Sequence, residues 1–274
     1  MPELPEVETT VRGLAAVLDG ARLTAVTPRR ADMRHPMPPD LRQRMTGATV
    51  TGLGRRAKYG LIDTDRGDTM IFHLGMSGRW RIDPEALDKH DHLLLETESG
   101  HQLALNDPRR FGSVDLVTTE ALGDFPAFAK MGPEPLSDAF DGAHLAAAFA
   151  GRMRPVKALL LDQHVVAGLG NIYVCEALNI AHISPNRKGA FIGRQRINAL
   201  VDAIKLVLEK AIADGGSTLR DYARPDGELG YFSTQWRAYG REGEPCVEYA
   251  DCGGRIKRIV QSGRSTFYCP CCQR

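Results

Sequence analysis

Five of the chain's six cysteines fall between positions 246 and 272, and Cys175 stands alone. No other feature constrains the fold as much. The tail reads Pro245-Cys246, then Cys252-Gly253, then Cys269-Pro270-Cys271-Cys272. Two cysteine pairs thus flank a strand-turn-strand stretch at 253–268. The N-terminus has no basic-then-apolar leader, so a cytoplasmic protein is expected. In that setting clustered cysteines read as metal ligands rather than disulfides. Paired thiolates across a short hairpin suit one tetrahedral Zn²⁺. Cys246, Cys252, Cys269 and Cys272 are assigned as ligands. Cys271 is a spectator, because adjacent residues rarely both reach one ion. Four thiolates leave no open coordination position, so the metal's role is structural. The alternative is an unpaired Cys246 with zinc three-coordinate or lost. Arg255, Lys257, Arg258 and Arg264 lie in or beside the hairpin. They either grip phosphates or form a solvated face.

The whole chain is long enough, at 274 residues, for a proper core and two domains. No run of apolar residues is long enough to span a membrane. The formal net charge is only +1. A nucleic-acid partner would therefore require basic groups gathered on one face and acidic groups elsewhere.

Hydrophobic periodicity divides the chain. Leu4, Val7, Val11, Leu14 and Leu18 mark an amphipathic helix over 3–19, with Pro5 tolerated in its first turn and Gly20 as its stop. From about 21 to 118 the pattern becomes short strands, among them Ala48–Leu53, Gly60–Thr64, Thr69–Leu74, Leu93–Thr97 and Gln102–Leu105. Ser99-Gly100 joins the last two as a hairpin. This predicts an antiparallel sandwich or barrel. Met131–Leu136 is rich in Gly and Pro and reads as a linker. Helices are expected at Ala143–Phe149, Pro155–Gln163, Gly170–Ala181 and Arg194–Asp214, followed by a glycine-rich segment to about 240.

Two short segments carry chemical potential. The chain opens Met1-Pro2-Glu3. If Met1 is removed, Pro2 presents a secondary amine, whose attack on an aldehyde-like carbon yields an iminium ion that acts as an electron sink. Glu3 places a carboxyl beside it for proton transfer. Most prolines at this position are only processing signals. Between two predicted helices, Gly168-Leu169-Gly170-Asn171 lets the backbone approach a partner, and Asn171 can cap the second helix. Such a turn either binds a DNA backbone or is an ordinary helix hairpin. Glu176, farther along that helix, orients a neighbour or is solvated.

Several motifs then converge. They are Pro2–Glu8, Arg55–Tyr59, His73–Gly78, Lys89–His92, Asn106–Gly112, Gly132–Leu136, Asp162-Gln163, Gly168–Tyr173, Gly230–Phe232 and the cysteine module. In this order they resemble bacterial formamidopyrimidine-DNA glycosylase over nearly the whole length. The Pro-Glu-Leu opening and the 217–232 loop separate the chain from the related endonuclease VIII family. Intact Pro2, Glu3 and Lys58 argue against a non-catalytic zinc-dependent DNA-binding protein. One departure is the five-residue gap between Cys246 and Cys252, where the family usually has two.

The resemblance implies an α+β fold: an N-terminal antiparallel β-sandwich flanked by helices, then a helical domain with a helix-two-turns-helix and a zinc-binding β-hairpin. It implies domains at 1–130, 138–235 and 240–274, a linker at 131–137 and a lesion-recognition loop at 217–232. The implied activity is removal of oxidised purines, chiefly 8-oxoguanine and formamidopyrimidines, from damaged double-stranded DNA by a monomer. Strand cleavage by β,δ-elimination follows. By similarity Pro2 is the nucleophile, Glu3 its acid/base partner, Lys58 a proton donor, and Arg264 a phosphate ligand that helps the δ step. Met76, Arg109 and Phe111 match the residues that fill the space left by the extruded base. His90, Arg152, Lys157 and Asn171 match phosphate contacts.

Overall fold

The computed structural model describes residues 2–217, 224–225, 227–228, 230–247 and 252–274. The chain divides into two compact units. One is Met1–Ala129 with Ile212–Ser233, and the other is Lys130–Ala211 with Thr234–Arg274. Among the described residues, no helix is long and apolar enough to cross a membrane.

The first unit opens with α1 (Leu4–Leu18), whose start is fixed by the Glu3 N–H donating to the Glu6 carboxylate at 2.8 Å. Asp19 closes the last turn and Gly20, at φ +73°, leads the chain away. There follow β1 (Leu23–Pro28), α2 (Leu41–Met45), β2 (Val50–Arg56), β3 (Tyr59–Thr64) and β4 (Asp68–His73). Next come β5 (Arg79–Ile82), β6 (Asp91–Thr97), β7 (Gln102–Asn106) and β8 (Ser113–Thr118). They pair antiparallel into two four-stranded sheets, β1-β6-β7-β5 and β2-β3-β4-β8. One core joins Val7, Leu14 and Leu18 of α1 to Ile62 and Phe72 of one sheet and Trp80, Leu95 and Leu103 of the other. The Phe72 and Trp80 rings meet edge-to-face at 5.6 Å, linking the sheets.

The sandwich expectation holds, and three of its strands carried little signal of their own. β5 is short and holds two arginines, β8 is interrupted by Asp115, and β1 is an edge strand ending in Pro28. Pairing with stronger neighbours makes them strands.

The second unit contains α3 (Gly142–Phe149), α4 (Val156–Leu160), α5 (Asn171–Ile180), most of α6 (Arg194–Ala213), and a hairpin of β9 (Lys257–Gln261) and β10 (Arg264–Tyr268). Asp141 caps α3 by accepting from the His144 N–H at 2.7 Å. α4 is shorter than the expected 155–163 because Gln163 replaces helical bonding. Its Nε2 donates to the Leu161 and Leu169 carbonyls at 3.2 and 3.1 Å, and its Oε1 accepts from the Gly168 N–H at 2.8 Å. That side-chain amide builds the two turns between α4 and α5. In the hairpin, Ser262 and Gly263 both have positive φ, the geometry of a tight two-residue turn. Arg264 follows directly and is exposed.

Candidate active site and zinc centre

Pro2 and Glu3 are buried at the start of α1, with Glu3 only 2% exposed. Glu6, one turn on, holds two amides at once. Its Oε2 accepts from Glu3 and its Oε1 from Ser217 at 2.7 Å. The start of α1 is thereby joined to the root of the 217–232 segment. Of that segment, Thr218–Ala223, Asp226 and Leu229 lie outside the described residues.

Lys58 sits in a two-residue turn, Ala57-Lys58, between the paired Arg56 and Tyr59. Ala57 adopts φ +53°, a conformation that favours glycine. Arg55 braces the turn. Its Nη1 donates to the Ala57 carbonyl at 2.9 Å and its Nε to Glu8 of α1 at 2.9 Å. Burial acts to raise the Glu8 carboxyl, but hydrogen bonds from Arg55 and Arg12 outweigh it and hold the group below the usual carboxylate range.

Met76 and Phe111 are 36% and 43% exposed, contrary to their apolar character. Met76 lies between β4 and β5, Arg109 and Phe111 between β7 and β8. The Arg109 guanidinium stands 4.9 Å over the Phe111 ring. The His73 ring packs tilted at 46° against Tyr59, centroids 4.7 Å apart, and its Nδ1 accepts from the Gly75 N–H at 3.1 Å. Burial, reinforced by the charges of Lys58 and Arg34, pushes the His73 imidazole down to about 4, so it is neutral at physiological pH. His90 lies just before β6, its N–H held by Asp88 at 2.7 Å.

In the second unit, Arg152 is exposed ahead of α4. Lys157 is 1% exposed and donates to Thr266 Oγ1 at 2.6 Å and the Ser265 carbonyl at 3.1 Å. Asn171 Nδ2 donates to the same carbonyl at 2.9 Å. The capping expectation for Asn171 is therefore corrected. Gly170 is the residue before α5, Asn171 is the first helical residue, and its side chain is spent on the hairpin. Lys157 and Arg264 line a cavity of about 260 Å³ together with Arg154, Asp162 and Ser262. Glu176 is neither solvated nor on the surface. It is buried and accepts from the N–H groups of Arg237, Ala238 and Tyr239 at 2.8, 3.0 and 2.8 Å. Burial pushes its pKa up while the three amides oppose the rise.

The Sγ atoms of Cys246, Cys252, Cys269 and Cys272 lie within 4.8 Å of one another. Cys246 and Cys272 sulfurs are 3.7 Å apart, and those of Cys252 and Cys269 are 3.5 Å apart. Burial acts to raise the Cys269 thiol, but N–H groups of residues 271 and 272 and the Cys252 thiol bring it down to about 7. Burial and neighbouring sulfurs push Cys272 up. Four converging sulfurs, one readily ionised, suit a cation, and the set fits one structural zinc. Cys271 is exposed and outside the group. Glu248–Asp251, most of the long gap, lie outside the described residues.

Three family models match in sequence: the formamidopyrimidine-DNA glycosylase N-terminal domain over residues 1–114, the H2TH domain of the same enzyme over 131–223, and a zinc finger found in FPG and IleRS over 243–274. The chain is 66% identical over 274 residues to formamidopyrimidine-DNA glycosylases of Rhizorhabdus wittichii and Novosphingobium aromaticivorans, covering 100% of each chain. The chain belongs to the formamidopyrimidine-DNA glycosylase family. Members of that family are DNA-repair glycosylases. The fold agrees at TM-score 0.91 with a Lactococcus lactis Fpg bound to DNA containing an abasic site, at 34% identity and full coverage of both chains. It agrees at 0.87 with the Thermus thermophilus MutM (Fpg) protein, at 38% identity over 99% and 98% of the two chains.

Within this glycosylase frame, sequence reasoning passed over three carboxylates, Glu6, Glu8 and Asp107, and left the partner of Glu176 open. Glu6 and the Glu8–Arg55 brace sit in motifs already singled out, but their partners lie 211 and 47 residues away. The Asp107 and Glu176 interactions likewise depend on separations of 30 and 62 residues. An acid inside a recognised motif was the available signal.

Proposed function

We propose that the protein is a bifunctional DNA glycosylase and AP lyase that excises oxidised purines, 8-oxoguanine and formamidopyrimidines, from duplex DNA. The observation that supports it best is the buried Pro2-Glu3 pair at the head of α1, tied through Glu6 to Ser217. Once Met1 is removed, the Pro2 nitrogen is a secondary amine at a helix N-terminus. The helix dipole opposes a proton there and favours the neutral, nucleophilic form. The amine attacks C1′ of the damaged nucleotide, and the C1′–base bond breaks as the base departs with a proton. Glu3 protonates the opened sugar oxygen, leaving an iminium between Pro2 and C1′. That cation withdraws electrons, the C2′ proton is lost, and the 3′ C–O bond breaks. The second elimination breaks the 5′ C–O bond. Lys58 supplies protons and Arg264 holds phosphate during the last step.

Before attack the base must leave the stack. Met76 and Phe111 wedge the gap, and Arg109 donates hydrogen bonds to the base opposite the lesion. His90 and Arg152 meet phosphates, Lys157 and Asn171 act at the same backbone by holding the hairpin that carries Arg264, and the 217–232 loop covers the flipped base. When bound, zinc supplies only structural cross-linking through Cys246, Cys252, Cys269 and Cys272. The working parts are the sandwich over 1–130, to whose compact unit 212–233 belongs, the helical region from 138 and the 240–274 module, acting as a cytoplasmic monomer.

Borohydride trapping on a duplex carrying 8-oxoguanine opposite cytosine tests the reading. A covalent adduct should form with protein whose N-terminus is Pro2 and vanish when that terminus is extended by a tag. Equal trapping by both proteins refutes the N-terminal nucleophile.

A further inference from the structure

The two wedge loops are fastened by one buried pair of side chains, Ser77 and Asp107. Asp107 is fully buried and Ser77 is 4% exposed. The Ser77 hydroxyl donates to Asp107 Oδ1 at 2.5 Å, and its oxygen accepts from the Arg109 N–H at 3.2 Å. Asp107 Oδ2 accepts from the Gly112 N–H at 2.8 Å. One hydroxyl and one carboxylate therefore hold both ends of the Arg109–Gly112 loop. The hydroxyl belongs to the residue next to Met76. The Asp107 carbonyl is in turn held by His92 Nε2 at 2.9 Å.

The backbone reinforces the same junction. Gly75 has φ +62°, and a side chain there would run into the Phe111 and Gly112 backbone. The Gly78 N–H closes the Met76 loop on the Leu74 carbonyl at 2.8 Å. Gly112 is likewise packed against the His73 carbonyl and the Asp107 carboxylate. Met76, Arg109 and Phe111 are exposed, yet the backbones that carry them are mutually fixed.

Resting on the wedge reading given above, we infer that Ser77 and Asp107 are positioning residues that set Met76 against Arg109 and Phe111. They act through the loops and do not touch the reacting atoms. Base extrusion and discrimination of the opposite base depend on the spacing they impose. Chemistry at an already abasic site does not.

The test compares Ser77→Ala with the unaltered full chain in single-turnover reactions on two duplexes. One carries a formamidopyrimidine lesion and the other a pre-formed abasic site. Ser77→Ala is expected to slow lesion excision about tenfold, through removal of a charge-assisted hydrogen bond. It should also shrink the rate ratio between cytosine and adenine opposite the lesion. Cleavage of the abasic duplex should stay within about twofold, since no base remains to be extruded. Asp107→Asn should give the same split, and if it fails to fold, Ser77→Ala with the opposite-base ratio decides. Equal slowing on both duplexes, or no slowing on the lesion, overturns the inference. Met76→Ala is the control for the parent reading. If it leaves lesion excision intact, the wedge assignment itself fails, whatever Ser77→Ala does.

Discussion

Removal of zinc is expected to unfold the C-terminal module and abolish tight DNA binding. Among the described residues, the apolar core of this module is Ala238, Ile256 and Cys269, edged by Phe267 and the other three ligand cysteines. Burying one isoleucine contributes about 1.5–3 kcal/mol, and an alanine methyl under about 1 kcal/mol. A two-stranded hairpin such as β9–β10 is marginal alone. A structural zinc contributes about 10–16 kcal/mol in comparable fingers, several times the apolar term. The metal therefore decides whether the hairpin exists, and with it Arg264 and the Ser265 carbonyl that Lys157 and Asn171 hold. Cys269→Ser removes a fully buried thiolate, and Cys271→Ser removes an exposed sulfur outside the cluster. Zinc content by native mass spectrometry and lesion-duplex affinity at several salt concentrations provide the assay. Cys269→Ser should lose zinc and weaken binding on the order of a hundredfold, the worth of about two charge-assisted hydrogen bonds to phosphate. Its salt dependence should be shallower by about one unit of slope for each phosphate the variant no longer neutralises. Cys271→Ser should match the unaltered protein. Full binding by zinc-free protein, or equal metal loss from the two variants, would refute the reasoning.

Three further outcomes are expected. Arg55→Ala should release the Lys58 turn, destabilising the fold by about 1–3 kcal/mol, because the part-buried Glu8 carboxylate loses one of its two arginine partners and keeps only Arg12. Strand cleavage should fall more than base excision, and thermal melting with product analysis on gels would reveal an unaffected ratio. His73 should stay neutral down to about 4, so its imidazole resonances should not titrate between pH 5 and 8. The unfolded chain takes up this proton at a higher pH than the folded chain does. The stability His73 contributes is thus complete above about 6.5 and is lost as pH falls toward 4; His73→Phe should flatten that part of the stability curve. Glu176→Gln keeps the shape but turns an amide donor toward at least one of three N–H groups. A melting-temperature drop of several degrees, corresponding to about 2–3 kcal/mol, is expected by calorimetry; an unchanged transition would count against the buried-anchor role.

Much of the architecture is legible in local pattern because local physics governs it. The 3–4 spacing from Leu4 to Leu18 makes α1 amphipathic wherever it packs, and the cysteine spacing brings two pairs across a hairpin. The motifs containing Pro2, Met76 and Arg109 were equally visible. Weakly patterned strands such as β5 were not, since their partners rather than their residues make them strands.

By itself, then, the sequence determined the alternation of strand-rich and helix-rich halves, the metal-binding tail and the candidate reactive groups. These depend on periodicity, composition and short spacing. Only the tertiary structure decided which acid serves which partner. Glu6 joins Ser217, Glu8 braces the Lys58 turn through Arg55, Glu176 collects three amides, and Asp107 ties together two loops. A carboxylate's partner is set by which donors the fold brings within about 3 Å after burial has removed water as an alternative. That proximity arises between residues far apart in the chain, where no local pattern records it.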